Sequence, residues 1–94
     1  MRTQVILDLH HRKTIDAYRL RKTFDCVILP PLQTEQLNFS IAVEYGEGTI
    51  DAEVQSVQWM PDEDMLYVLT KYIYFETLEE LDVAAHGLDG RGWL

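Results

Sequence analysis

The residues of this chain best equipped for catalysis or metal binding are three histidines, one cysteine and a run of three carboxylates. Their spacing argues against both. His10 and His11 are adjacent, and neighbouring side chains on a strand point to opposite faces, so the pair cannot chelate one ion without a turn between them. His86 falls at the end of an expected helix, where an imidazolium meets a favourable dipole, which is a structural role. Cys26 lies in the apolar run from Phe24 to Leu29 and reads as a small buried hydrophobe. Nothing local marks it as an activated nucleophile, and a lone cysteine cannot form an intrachain disulfide. Asp62-Glu63-Asp64 lacks the glycine and distal glutamate of a calcium loop, so it reads as a solvated turn. The glycines at 46, 48, 87, 90 and 92 fit no phosphate-binding spacing. The expectation is a non-enzymatic protein without metal or cofactor.

Charge carries more information than any motif. Residues 1–23 hold six Lys/Arg against Asp8 and Asp16, a net +4. Residues 24–94 hold fourteen Asp/Glu against Lys71 and Arg91, a net −12, so the chain totals −8. Such segregation makes a directional field that speaks to partner choice and not to fold. If the basic strand and the acidic elements are sheet neighbours, part of this dipole cancels inside the fold.

Two binding readings follow. Glu44, Glu47, Asp51 and Glu53 would stand on the outer face of a hairpin, with Asp62, Glu63 and Asp64 at its far end. Glu79, Glu80 and Asp82 would decorate a helix. A carboxylate-rich face of this kind can occupy a basic groove, as a nucleic-acid mimic or an inhibitor would, with fast and salt-sensitive association. The bland account is that the carboxylates only keep the protein dispersed. Tyr67, Tyr72, Tyr74 and Trp93, of the residue types that anchor protein interfaces, strengthen the interaction reading. The competing reading is a small nucleic-acid-binding protein using Arg12, Lys13, Arg19, Arg21 and Lys22, with Tyr18 and Phe24 interleaved for stacking. A pI near 4.6 disfavours nucleic acid. The expected function is therefore a protein–protein interaction module, an inhibitor or adaptor, facing a protein with a basic surface. Pairing with a second copy of the chain is the other expected contact.

The elements that must position these residues read as β until residue 76 and helical afterwards. Val5, Leu7 and Leu9 alternate on a first strand, followed by a polar turn at His10-His11-Arg12-Lys13. Residues 15–22 fit a strand better than a helix, because Tyr18 and Leu20 share a face with Phe24. Residues 24–29 continue as strand to Pro30-Pro31, which opens a loop through about Glu35. Residues 38–60 form the clearest signal, a hairpin with Ile41, Val43 and Tyr45 facing the same way as Ile50, Ala52 and Val54. A two-residue Gly46-Glu47 loop sets Glu44 across from Thr49; the rival Glu47-Gly48 loop would set it against Asp51. The phase then slips before Val57 and Trp59, which demands a β-bulge near Gln55–Val57.

Pro61-Asp62-Glu63-Asp64 is a turn. Residues 65–75 are apolar on both faces and read as one strand covered on both sides, by the helix and by a second chain. Thr77 and Glu80 make a capping box for a helix over about 78–86, with Leu78, Leu81 and Ala85 buried and Gly87 as terminator. Residues 87–94 are then a glycine-hinged tail in which Leu88 folds back on Val83. The expected fold is α+β and β-rich: one domain over 1–94, about five mainly antiparallel strands in a curled or barrel-like sheet, and one C-terminal helix.

Ninety-four residues, 47% of them hydrophobic, can supply one modest core. No apolar stretch approaches the roughly 20 residues needed to span a bilayer. The N-terminus lacks the pattern of a signal peptide, so the expected location is cytoplasmic, with no membrane partner.

Overall fold

The computed structural model describes residues 2–25, 40–45 and 48–94. Among them lie strands β1 (Arg2–His11), β2 (Ala17–Phe24), β3 (Ser40–Tyr45), β4 (Gly48–Met60), β5 (Met65–Thr70) and β6 (Ile73–Phe75), and helix α1 (Leu78–Asp89). The sheet runs β2-β1-β5-β4-β3, with β6 pairing farther along β1. It is a mixed sheet curled into a half-barrel around the helix. No helix is long and apolar enough to cross a membrane.

β1 is the central strand because its alternation is the strongest. Val5, Leu7 and Leu9 are at most 1% exposed on the inner face; Ile6, Asp8 and His10 take the outer face. Each of the three inner side chains contributes roughly 1.5–3 kcal/mol by leaving water. β2 returns antiparallel, with Leu7 beside Leu20 and Asp8 beside Arg19. β5 lies on the other side of β1 and runs parallel to it, placing Val68 against Val5. The strand character expected for residues 15–22 holds from Ala17 onward, Ile15 and Asp16 lying before the strand. The expected polar turn starts two residues late, because His10 and His11 belong to β1 and the bend occupies residues 12–15. β2 ends at Phe24 and Asp25 is a bend, so the expected strand over 24–29 is not continued there. The rest of that run, Cys26 included, and the loop at Pro30-Pro31 lie outside the described residues.

The hairpin pairs Tyr45 with Gly48, Glu44 with Thr49 and Val43 with Ile50, the register expected for a loop of Gly46-Glu47. That loop itself is outside the described residues. Gly48 sits beneath the Tyr45 ring, where an added Cβ would come within 2.8 Å of it. β4 pairs with β3 through its first half and with β5 through its second, and its register shifts between Val54 and Ser56. This is the expected bulge, and its bend is what curls the sheet. Pro61–Glu63 make a single 3-10 turn closed by Asp64 in the left-handed region, φ 50°, which a short polar side chain tolerates.

The single strand expected over 65–75 is broken. Ile6 pairs with Leu69 and Leu9 with Ile73, so this path carries one residue more than β1 over the same stretch. The slip falls at residues 71–72, where the Lys71 amide turns to the Glu53 carbonyl at 2.8 Å. It throws Tyr72 outward, and the outer face is only partly covered: Tyr72 is 54% and Tyr74 51% exposed.

Thr77 caps α1 by accepting the Glu80 amide at 3.1 Å. The buried stripe is Leu81, Ala84, Ala85 and Leu88, while Leu78 is exposed. The helix runs through Gly87, which corrects the expected stop, and carries Leu88 into the core instead of folding it onto exposed Val83. The reversal comes later, at Gly92 with φ 93°. There the Trp93 amide reaches the Leu88 carbonyl at 3.1 Å, and the indole packs edge-on to Phe24 at 6.1 Å. Trp93 is 3% exposed, so the expected exposed anchor is a core residue.

Candidate interaction surface

The outer face of β1, β2, β5 and β6 collects Tyr67, Tyr72 and Tyr74 of the aromatic candidates and Arg12, Arg19 and Arg21 of the basic ones. Alternation on β2 sends Arg19 and Arg21 outward and Tyr18, Leu20, Lys22 and Phe24 inward, in register with the inward residues of β1. Lys22 is therefore withdrawn from the expected basic set. Its Nζ donates to the Arg91 carbonyl at 2.7 Å and lies 5.2 Å from the Phe24 ring centre. Lys13 is exposed in the β1–β2 bend.

Around the slip at residues 71–72 the rings gather. His10 stacks on Tyr72 with centroids 4.1 Å apart, Tyr74 stands 6.4 Å from Tyr72 at a steep angle, and the Arg12 guanidinium lies 5.6 Å over Tyr74. Farther along the same face Tyr67 donates to Glu63 at 2.6 Å, and that bond, burial and the nearby charge raise the phenol pKa above its ordinary value. Ile6, Leu69 and Met60 floor a shallow depression rimmed by Arg19, Tyr67 and Glu63.

The cations of this face are mostly neutralised within the chain. Arg19 grips Asp8 through two bonds, 2.7 and 3.2 Å, and that pairing raises the guanidinium pKa further. The Asp8 side chain is only 6% exposed there. Arg12 pairs with Glu76 at 2.7 Å and Lys71 with Glu53 at 3.1 Å. Arg21 has no carboxylate partner among the described residues.

The acidic candidates sit elsewhere. Glu44, Asp51 and Glu53 are exposed on the outer side of the β3–β4 hairpin. Glu44 meets Arg91 at a loose 3.4 Å. Asp62, Glu63 and Asp64 are exposed at the far end of β4; Glu47 lies outside the described residues. Because β2 and β3 are the two edges of the sheet path, they do not pair, and the expected cancellation by neighbouring strands does not occur. The neutralisation is local instead, by Asp8 and Glu76.

Two participants in this surface were not expected there from the sequence. Asp8 was legible in principle, as a charged residue set between the inward apolar residues of a strand. His10 was not, because its stacking partner is delivered by a register slip. Of the candidate metal ligands, His10 faces out, His11 is buried between the Thr14 hydroxyl (2.8 Å) and the Glu76 carbonyl (3.2 Å), and His86 contacts the Asp82 carbonyl. They do not converge. Comparisons with protein-family models, curated proteins and solved structures find no match to this chain.

Proposed function

We propose that this chain is a protein-interaction module whose contact surface is the outer face of the sheet, with Tyr72, Tyr74 and His10 at the centre and the carboxylates of the β3–β4 hairpin at one flank. The observation that carries the reading is the preassembled, half-exposed ring cluster on a face the helix leaves open. Tyrosine and arginine held in place lose little freedom on binding and are the usual anchors of protein interfaces. The partner is a protein with a basic rim, steered by Asp51, Glu53 and Glu44. Its capture from an extract of the source organism should fall with rising salt. It should be lost with Tyr72→Ala/Tyr74→Ala and weakened with Asp51→Lys/Glu53→Lys. A partner that survives all four changes would end this reading.

One observation favours the competing nucleic-acid reading: Arg19 and Arg21 share a face with Tyr67, Tyr72 and Tyr74, as strand-binding platforms require. Against it, Arg12 and Arg19 already hold carboxylates, which leaves few charges to displace counterions from phosphates. Tight binding of a single-stranded oligonucleotide at physiological salt, lost on Arg21→Ala, would replace the first reading with this one.

A further inference from the structure

The outer edge of β2, at the end of the sheet path, is a surface apart from the Tyr72–Tyr74 rings. Arg21 donates its amide to the Leu94 carbonyl and accepts the Leu94 amide, both at 2.9 Å. This reciprocal bond is the mark of an antiparallel pair, so the edge already carries one residue of an added strand. It also sets the direction of every other group on β2. Tyr18, Leu20, Lys22 and Phe24 direct their main-chain groups toward β1, and Ala17, Arg19 and Thr23 direct theirs outward, as Arg21 does. The bond from the His11 amide to the Asp16 carbonyl, 3.0 Å, fits the same alternation. Leu94 pairs with Arg21. Among the described residues no main chain meets Ala17 or Arg19 on that side.

The chemistry flanking this open stretch differs between its two faces. Arg19 and Arg21 stand on the outer side. On the inner side a groove runs between the edge and α1, lined by Ala17, Tyr18, Leu78, Asp16 and Asp82. Tyr18 closes its floor by donating to Asp82 at 2.8 Å, and Leu78 is 45% exposed along its wall. An incoming strand must place alternate side chains against these two surfaces. Two copies of β2 paired with each other would bring their arginines together, so the edge resists self-pairing.

We infer that the Ala17–Arg19 edge of β2 accepts an extended segment of a partner protein by strand addition, with a carboxylate on the outward side within reach of Arg21 and apolar residues on the inward positions facing Leu78 and Tyr18. Main-chain bonds hold the segment and the alternation selects it. With the outer-face surface, this gives the chain two separate contacts, as an adaptor has.

The test uses the whole protein and a fluorescein-labelled six-residue peptide alternating Glu and Val, with a Lys/Val peptide as the charge-reversed counterpart. Anisotropy titrations should show saturable binding of the Glu/Val peptide and binding of the Lys/Val peptide weaker by about tenfold or more. Arg21→Glu, which leaves the Arg19–Asp8 pair intact, should reverse that preference. Ala17→Pro removes an outward amide at an edge position where proline is tolerated, and should weaken binding by about tenfold or more. Amide exchange on the unaltered protein gives a reading that no substitution can confuse: the Ala17 and Arg19 amides should slow when the Glu/Val peptide is added. No saturable binding, equal binding of both peptides, or slowed exchange elsewhere with these two amides unchanged would each overturn the inference. Neither Tyr72→Ala nor Tyr74→Ala should affect it.

Discussion

The β1–β2 side and the β3–β4 hairpin carry opposite charges, and the two sets of charges are held in different ways. On the β1–β2 side Arg19 meets a nearly buried Asp8 through two short bonds. On the hairpin Glu44 stands 71% exposed and meets Arg91 at 3.4 Å. Exposed ion pairs are worth little, typically about 0–1 kcal/mol, whereas a buried carboxylate that loses its partner is costly. Arg19 is therefore structural, whereas the hairpin carboxylates Glu44 and Glu53 hold only exposed pairs, with Arg91 and Lys71, that a partner can replace. The charge segregation of the chain becomes a division between charges that build the sheet and charges that can meet a partner.

The aromatic residues divide in the same way, and there the largest effect is expected. Trp93→Ala should remove about 3–5 kcal/mol of stability in denaturant unfolding, as loss of a buried ring does. Tyr72→Ala or Tyr74→Ala should cost less than about 1 kcal/mol while abolishing partner capture. Equal costs would erase the distinction between core ring and surface ring. Next, Arg19→Ala should lower the thermal midpoint well beyond any single substitution of a hairpin carboxylate, because it strands the Asp8 carboxylate. Adding Asp8→Asn to it should recover part of the loss. Glu44→Ala and Glu53→Ala should stay within about 0.5 kcal/mol of the parent, and a larger change would make the hairpin carboxylates structural.

The smallest effect is expected at alkaline pH. Tyr18 and Tyr67 both have raised pKa values, first because each donates a hydrogen bond to a carboxylate, Asp82 and Glu63. A raised folded-state pKa gives stability that is complete below the ordinary tyrosine value of about 10 and is lost as pH rises through the folded value. Tyr18→Phe and Tyr67→Phe should thus unfold earlier than the parent below that pH, and the gap should close above it. Ultraviolet titration of the phenolates in parent and variants reads the same shifts directly.

Much of the fold was legible because the governing signals are local. Alternation at Val5, Leu7 and Leu9 placed β1. The Glu44–Asp51 conflict selected the hairpin register, and the phase slip at Gln55 located the bulge. Thr77 and Glu80 marked the helix start. The failures have one physical cause, which is that local signals do not report what lies across space. Gly87 looks like a terminator, yet the core takes Leu88 and holds the helix through it. Trp93 looks like a free anchor on a tail, yet Gly92 turns it under Phe24. Residues 65–75 look like one strand, yet pairing with a β1 of fixed length forces a slip that turns Tyr72 outward.

From its sequence alone this chain determined a β-rich fold closed by one helix, an excess of carboxylates on a hairpin and a cluster of cations near its start. Only the tertiary structure decided which of those charges stay unspent. Strand order placed β2 and β3 at opposite edges, and cross-strand registry set Asp8 beside Arg19. Whether a charge is neutralised depends on what lies within a few ångströms of it, and for residues far apart in the chain that is a property of pairing and packing.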